Sequence, residues 1–176
     1  MLKMEYQLKF RNATIDDLEI LNRWDNEEHV IVSDPNDDWL WETELQKNPP
    51  WRDQLIASVN EKPIGFIQII DPKEEESHYW GDVEENIRAI DIWIGEIDFL
   101  NKGYGTLMMK HALQICFSNP SIKAVLIDPL SNNIRAHTFY QRLGFIPVGI
   151  RMFGEDECLV HILNRKDWEK SDRNKK

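Results

Sequence analysis

Two stretches of this 176-residue chain contain residue types and spacings that could do chemistry. In Asn101–Leu113, NKGYGTLMMKHAL, Gly103 and Gly105 stand directly before an apolar, helix-forming run. A glycine turn entering a helix offers unpaired backbone amides and the positive end of the helix dipole, which together bind phosphate. The same pattern also serves as a plain turn between strand and helix. A P-loop does not fit, because Thr106-Leu107 follows where Lys-Ser/Thr is needed. A dinucleotide fingerprint does not fit either, because Met108 occupies the place of its third small residue. The second feature is Asp91 within IRAIDIWIG, a strand pattern in which aspartate is disfavoured. Alternation puts Ile90, Ile92 and Ile94 on one face, Asp91 and Trp93 on the other. Asp91 is then either a working carboxylate at a cleft or half of an ion pair with a neighbouring Arg or Lys.

Other chemistry is absent from the sequence. The five histidines form no HExxH or Cys/His cluster, so no metal is expected. There is no Gly-x-Ser-x-Gly, and neither Cys116 nor Cys158 has a context that marks a nucleophile.

The elements that must position these residues follow from periodicity. Residues 6–14 alternate as a first strand; Thr14 then caps a helix carrying Leu18, Leu21 and Trp24 on one face. Residues 33–46, SDPNDDWLWETELQ, predict a second helix ended by Pro49-Pro50. A hairpin follows over 54–70, then an acidic loop over 71–86, read either as a solvated surface or as a pocket wall carrying Tyr79 and Trp80. After the Asp91 strand and the glycine helix come a buried strand ending at Asp128-Pro129, a helix stopped by Gly144, and two final strands. The expectation is a single α+β domain over 1–166 with a frayed polar tail over 167–176.

Composition fits that picture. Hydrophobic residues at 41% and charged residues at 30% suit an ordinary globular protein. No apolar run reaches a membrane span and no signal peptide is evident, so the expected address is the cytoplasm. Two lone cysteines agree with a reducing compartment. The net charge is −10, and because the last twelve residues are basic, residues 1–164 carry −13. That field repels nucleic acid and anionic membranes and attracts cations.

Taken together, Leu100-Asn101-Lys102-Gly103-Tyr104-Gly105 and, one strand later, Asn133, Ala136, Phe139, Tyr140, Gly144 and Phe145 resemble the GCN5-related N-acetyltransferases, the GNAT superfamily. The resemblance spans about residues 5–165. It implies a GNAT fold: one mixed, mostly antiparallel sheet of about seven strands flanked by four helices. It also implies acetyl-CoA as co-substrate, its pyrophosphate on the loop of Lys102, Gly103, Tyr104, Gly105 and Thr106. Asn133 and Ala136 would flank the pantetheine, which pairs with the backbone edge of Ile92, Trp93 and Ile94. A bulge in that strand would expose an N–H for the reaction's oxyanion. Leu100 departs from the family's usual Gln or Arg.

Within the superfamily the chain is most similar to aminoglycoside 6'-N-acetyltransferases, through EKPIGFIQ, IRAIDIWIG, NKGYGT, IDPLSNNIRAHTFYQRLGF and GEDECLVHILNRKDWE. That likeness makes Asp91 a general base, Tyr140 the acid for the departing thiolate, and Gln68, Asp91 and Asp128 the acceptor contacts. The implied partner is a small cationic amine met by a monomer or dimer, with neither nucleic acid nor membrane involved. Other readings are a GNAT enzyme for a ribosomal protein N-terminus, polyamine or siderophore hydroxylysine, and a non-catalytic acyl-CoA-binding module.

Overall fold

A computed structural model describes residues 8–173. The part of the first strand expected at Tyr6 and Gln7 lies outside them. Seven strands, β1 (Leu8–Asn12), β2 (Arg52–Val59), β3 (Lys62–Ile70), β4 (Ile87–Ile94), β5 (Ala124–Ile127), β6 (Ile146–Phe153) and β7 (Asp156–Asn164), form one sheet. Their order is β1-β2-β3-β4-β5-β7-β6. All neighbours are antiparallel except β4 and β5. The helices are α1 (Leu18–Asp25), α2 (Glu28–Ile31), α3 (Trp41–Glu44), α4 (Tyr104–Ser118), α5 (Ile134–Arg142) and α6 (Arg165–Arg173). The α+β expectation holds, with six helices rather than four among the described residues.

Strand alternation divides the core between the two faces of the sheet. Leu55, Ala57, Ile67, Ile69 and Ile90 pack against α4, whose buried Met108, Met109, Ala112, Leu113, Cys116 and Phe117 recur at helical spacing. Each of the larger side chains contributes about 1.5–3 kcal/mol by leaving water. The opposite face carries two apolar clusters. Ile56, Phe66, Leu21, Trp24 and Trp41 form one, and Ile70, Ala89, Leu126, Trp80, Phe153 and Val160 the other. Between them runs a polar row, because the register aligns Gln54 with Gln68 and Gln68 with Asp91. Gly65 lets β3 and β4 approach: a Cβ there would lie 2.5 Å from the Trp93 carbonyl oxygen.

One irregularity creates the site. β4 pairs with β5 only over Ile87–Ala89, against Ala124–Leu126. β5 then turns away toward β7, and from Ile90 to Ile94 β4 has no strand partner on that side among the described residues. The expected bulge in β4 is not found. Its register with β3 is continuous from Gly65↔Ile94 to Ile70↔Ala89, so strand divergence rather than an extra residue frees the β4 edge.

Two further expectations are corrected. Residues 33–46 are not one helix: α2 ends at Ile31 and α3 begins at Trp41, with Leu40 left-handed at φ 48°. Asp34 accepts from Trp39 Nε1 at 3.1 Å and Asp25 from Trp41 Nε1 at 2.5 Å, so carboxylates and indoles hold an irregular strap instead. Nor is the expected tail frayed from 167 as far as Arg173, where the described residues end. Trp168 stacks on Phe117 with ring centroids 4.8 Å apart, and Arg165 donates to the carbonyls of Phe117, Asn119 and Ile122, which anchors α6.

Candidate active site

The divergence of β4 and β5 opens a cleft of about 900 Å³ that communicates with both faces of the sheet. Gln68, Asp91, Ile92, Trp93, Ile94, Gly103, Gly105, Thr106, Asp128, Asn133, Ala136 and Tyr140 all line it. Of the residues singled out from sequence, Lys102 and Tyr104 do not turn their side chains into it. The Lys102 ammonium lies 6.0 Å from the Phe99 ring centre, and the Tyr104 ring packs 5.4 Å from the same ring. Only their backbone can take part.

At one end the site is built from backbone. Gly103 caps α4 at φ 87°, a conformation that glycine adopts without strain. A Cβ at Gly103 would meet nothing within 4 Å, so the protein itself leaves open the space above the turn. Helix geometry leaves the first amides of α4 without acceptors. Asn133 caps α5, its Oδ1 accepting from the Ala136 amide at 3.1 Å. The freed β4 edge continues this polar backbone surface. His29 Nε2 lies 2.9 Å from the Ile94 carbonyl oxygen, which it reaches only as a donor. An amide cradle with room above it and an unpaired strand edge suit an extended, phosphate-bearing ligand.

At the other end the site is built from carboxylates. Gln54 Nε2 donates to Gln68 Oε1 at 2.9 Å, and Gln68 Nε2 donates to Asp91 Oδ2 at 3.0 Å. This relay aims Asp91 with neutral amides. No cation pairs with Asp91 among the described residues, so the ion-pair reading has no partner. Burial, then the charges of Asp128 and Asp37, push its carboxyl up to about 7 against the opposing Gln68 bond. Burial likewise pushes Asp128 up to about 7, although Tyr79 donates its hydroxyl to Asp128 Oδ2 at 2.6 Å.

Tyr140, beneath the gap, is 8% exposed and makes edge contacts with Phe139 and Phe145. Its hydroxyl has no protein hydrogen-bond partner among the described residues. Burial and the nearby Asp91 and Asp128 hold it well above the usual phenol range, so it stays protonated and remains a donor.

Sequence reasoning passed over several acidic residues of this wall. Asp34, Asp37 and Asp156 also line the cleft. Burial pushes Asp34 up to about 7, with Asp37, Asp91 and Asp156 adding to it, and raises Asp37 too. Asn36 Nδ2 donates to Asp156 Oδ1 at 2.6 Å, tying the α2–α3 strap to the β6–β7 turn. Of the two readings of the acidic loop, the geometry fits the pocket wall: Glu75, Glu76, Tyr79 and Trp80 line the cleft, Tyr79 stacking on Phe153 at 4.5 Å and Trp80 only 2% exposed. The only signal was the density of acids in SDPNDDW and GEDE.

Comparison with known proteins agrees with this architecture. Residues 14–153 match the family model of the acetyltransferase (GNAT) domain. Aminoglycoside N(6')-acetyltransferase type 1 of Serratia marcescens is 24% identical over 175 residues, covering 93% of this chain and 86% of the relative. The protein of the same name in Klebsiella pneumoniae is 24% identical over 173 residues, covering 92% and 85%. The fold is similar to aminoglycoside acetyltransferase AAC(6')-Ib in complex with coenzyme A, with a TM-score of 0.82, 23% identity, and coverage of 94% of this chain and 99% of that one. An uncharacterized protein from Bacillus halodurans is as similar, with a TM-score of 0.83, 25% identity, and coverage of 96% and 92%. With the family match spanning most of its length, this chain belongs to the GNAT acetyltransferases.

Proposed function

We propose that this protein transfers an acetyl group from acetyl-CoA to a primary amine of an aminoglycoside-like polycation. The observation that carries the reading is Asp91: an uncharged-amide relay holds it at the split between β4 and β5, facing a wall of further carboxylates. The relatives' names and a neighbouring structure described as a complex of AAC(6')-Ib with coenzyme A and kanamycin support the same substrate class.

The residues fit acetyl-CoA. Gly103, Gly105 and Thr106 would cradle its pyrophosphate with their amides, and the freed edge of Ile92, Trp93 and Ile94 would take its pantetheine arm, with Asn133 and Ala136 beside it. When bound, the cofactor supplies an activated thioester acyl group. The chain's own residues handle the acceptor and the protons. An alkylammonium has a pKa near 10.4 and is not a nucleophile until it loses a proton. Asp91 binds that cation and takes its proton, directly or through water; a base poised near 7 is matched to neutral pH. Asp128 holds the same cation from the loop after β5, steadied by Tyr79. Tyr140 donates from beneath the gap to the sulfur on which charge develops. We place the activity in the cytoplasm, where two buried free cysteines persist as thiols. Among the described residues no helix is long and apolar enough to cross a membrane.

Coenzyme A release measured with aminoglycosides, polyamines and peptides with free N-termini tests the reading. Turnover with aminoglycosides above the others is expected. Preferred turnover with peptides would replace the substrate class, and no release with any amine would leave a binding module.

A further inference from the structure

The cleft poses an electrostatic problem for the cofactor proposed above. Among the described residues its lining holds nine carboxylates: Asp34, Asp37, Asp38, Glu44, Glu75, Glu76, Asp91, Asp128 and Asp156. Such a field suits a cationic acceptor and repels a nucleotide carrying several phosphate charges. The glycine turn offers dipoles and amides but no full charge. Its Lys102 points to Phe99, and Leu100, which does line the cleft, is uncharged.

The two Lys/Arg side chains in the lining are Arg135 and Arg142, both on α5. They stand seven residues apart with Phe139 between, so one helical face presents Arg135, Phe139 and Arg142 in a row about 10 Å long. That face is turned to the glycine turn, because the Phe139 ring lies 3.7 Å from where a Cβ on Gly105 would be. Arg135 Nη2 also donates to Oδ1 of Asn101, the left-handed residue (φ 59°) two positions before Gly103. Neither guanidinium has a carboxylate partner among the described residues. Two unneutralised guanidinium groups on one face at the amide cradle, in an otherwise acidic cleft, form an anion-recognition strip.

We infer that α5 supplies the charge that Leu100 lacks: Arg135 pairs with the pyrophosphate of coenzyme A, and Arg142, two turns along, with its 3'-phosphate. The inference rests on the acetyl-CoA reading. A guanidinium suits the task because its planar fork can meet two phosphate oxygens at once.

Calorimetric titration with coenzyme A and with dephospho-coenzyme A, which lacks the 3'-phosphate, tests this without measuring turnover. Arg135→Ala should weaken both ligands by about tenfold, the loss of one charge-assisted contact. Arg142→Ala should weaken coenzyme A alone, bringing it to the affinity of dephospho-coenzyme A. Asn101→Gly keeps the left-handed backbone and removes only the amide that Arg135 holds, so its affinity should stay near wild type. Arg135→Ala binding both ligands within twofold of wild type, with an unchanged melting temperature, would overturn the assignment. So would an Asn101→Gly loss equal to that of Arg135→Ala, because Arg135 would then act only by fastening the turn. Failure of the wild-type protein to bind coenzyme A would instead remove the acetyl-CoA reading beneath the proposal.

Discussion

The two ends of the cleft are made from different materials. The cofactor end is mainly backbone: the α4 amides behind Gly103, the cap of α5, and the β4 edge released at Ile90. The acceptor end is side chain, with carboxylates from the α2–α3 strap, β4, the loop after β5 and the β6–β7 turn. Backbone surfaces tolerate substitution wherever the turn itself is kept. A carboxylate wall depends on each member: burial first, and then the neighbouring carboxylates, push Asp34, Asp91 and Asp128 up to about 7. One end is set by conformation and the other by charge.

Substitutions can test that division. The largest effect is expected for Asp91→Asn, which keeps shape but removes basicity. Turnover should fall about 10²- to 10⁴-fold, coenzyme A affinity should hold, and part of the loss should return at high pH, where the amine is already neutral. In the wild type, kcat/KM should rise with pH to a limb near 7, and that limb should vanish in the variant. Tyr140→Phe comes next, with turnover down about ten- to a thousand-fold and cofactor binding little changed; wild-type turnover would mean that Tyr140 merely packs. Gly103→Val should weaken coenzyme A at least about tenfold, since a Cβ both strains φ 87° and enters the open space above the turn. Unchanged affinity in folded Gly103→Val protein would break the claim that this end is backbone. Asp128→Asn should chiefly raise KM several-fold for a cationic acceptor, an effect that added salt should shrink.

Stability gives an independent measure of the same contrast. The carboxyl of Asp91 is raised from about 3.8 to about 7 on folding, so between those values the folded state binds more protons than the unfolded chain. Stability from this group therefore falls as pH rises through the window and is lowest above 7. Asp91→Asn removes that penalty and should melt higher than wild type at pH 7.5, with the gap closing toward pH 4. A variant that melts lower at pH 7.5 would point to a structural partner for Asp91.

The same division explains what could be read from the chain. The cofactor end was legible because it is local. Two glycines before an apolar helix and a capped helix with an aromatic pair each fall within about a dozen residues. The end proposed for the acceptor was legible at Asp91, an aspartate inside an alternating strand, while Gln68 and Asp128 were reached only through the family likeness. Asp34, Asp37 and Asp156 converge from positions about 120 residues apart on irregular segments, and no spacing encodes that meeting. The expected helix over 33–46 failed for a related reason: Asp34 and Asp25 take indole donors from Trp39 and Trp41, contacts that compete with helical order. The helix after Asn164 was missed because a half-buried Trp168 and the carbonyl contacts of Arg165 anchor a mostly polar segment.

The unpaired edge of β4 also bears on how long the molecule lasts. From Ile90 to Ile94 the sheet carries backbone groups with no strand partner on one side, in the middle of the fold rather than at its rim. A ligand that pairs with that edge binds the native chain and not the unfolded one. It therefore raises the free energy of opening by mass action, by about 2.7 kcal/mol at a hundredfold excess over Kd. Where proteases sample the open form, a change of that size alters its population about a hundredfold. With coenzyme A in the role proposed for it, its presence is therefore expected to slow proteolysis of the native protein, a protection that digestion with and without the ligand would measure.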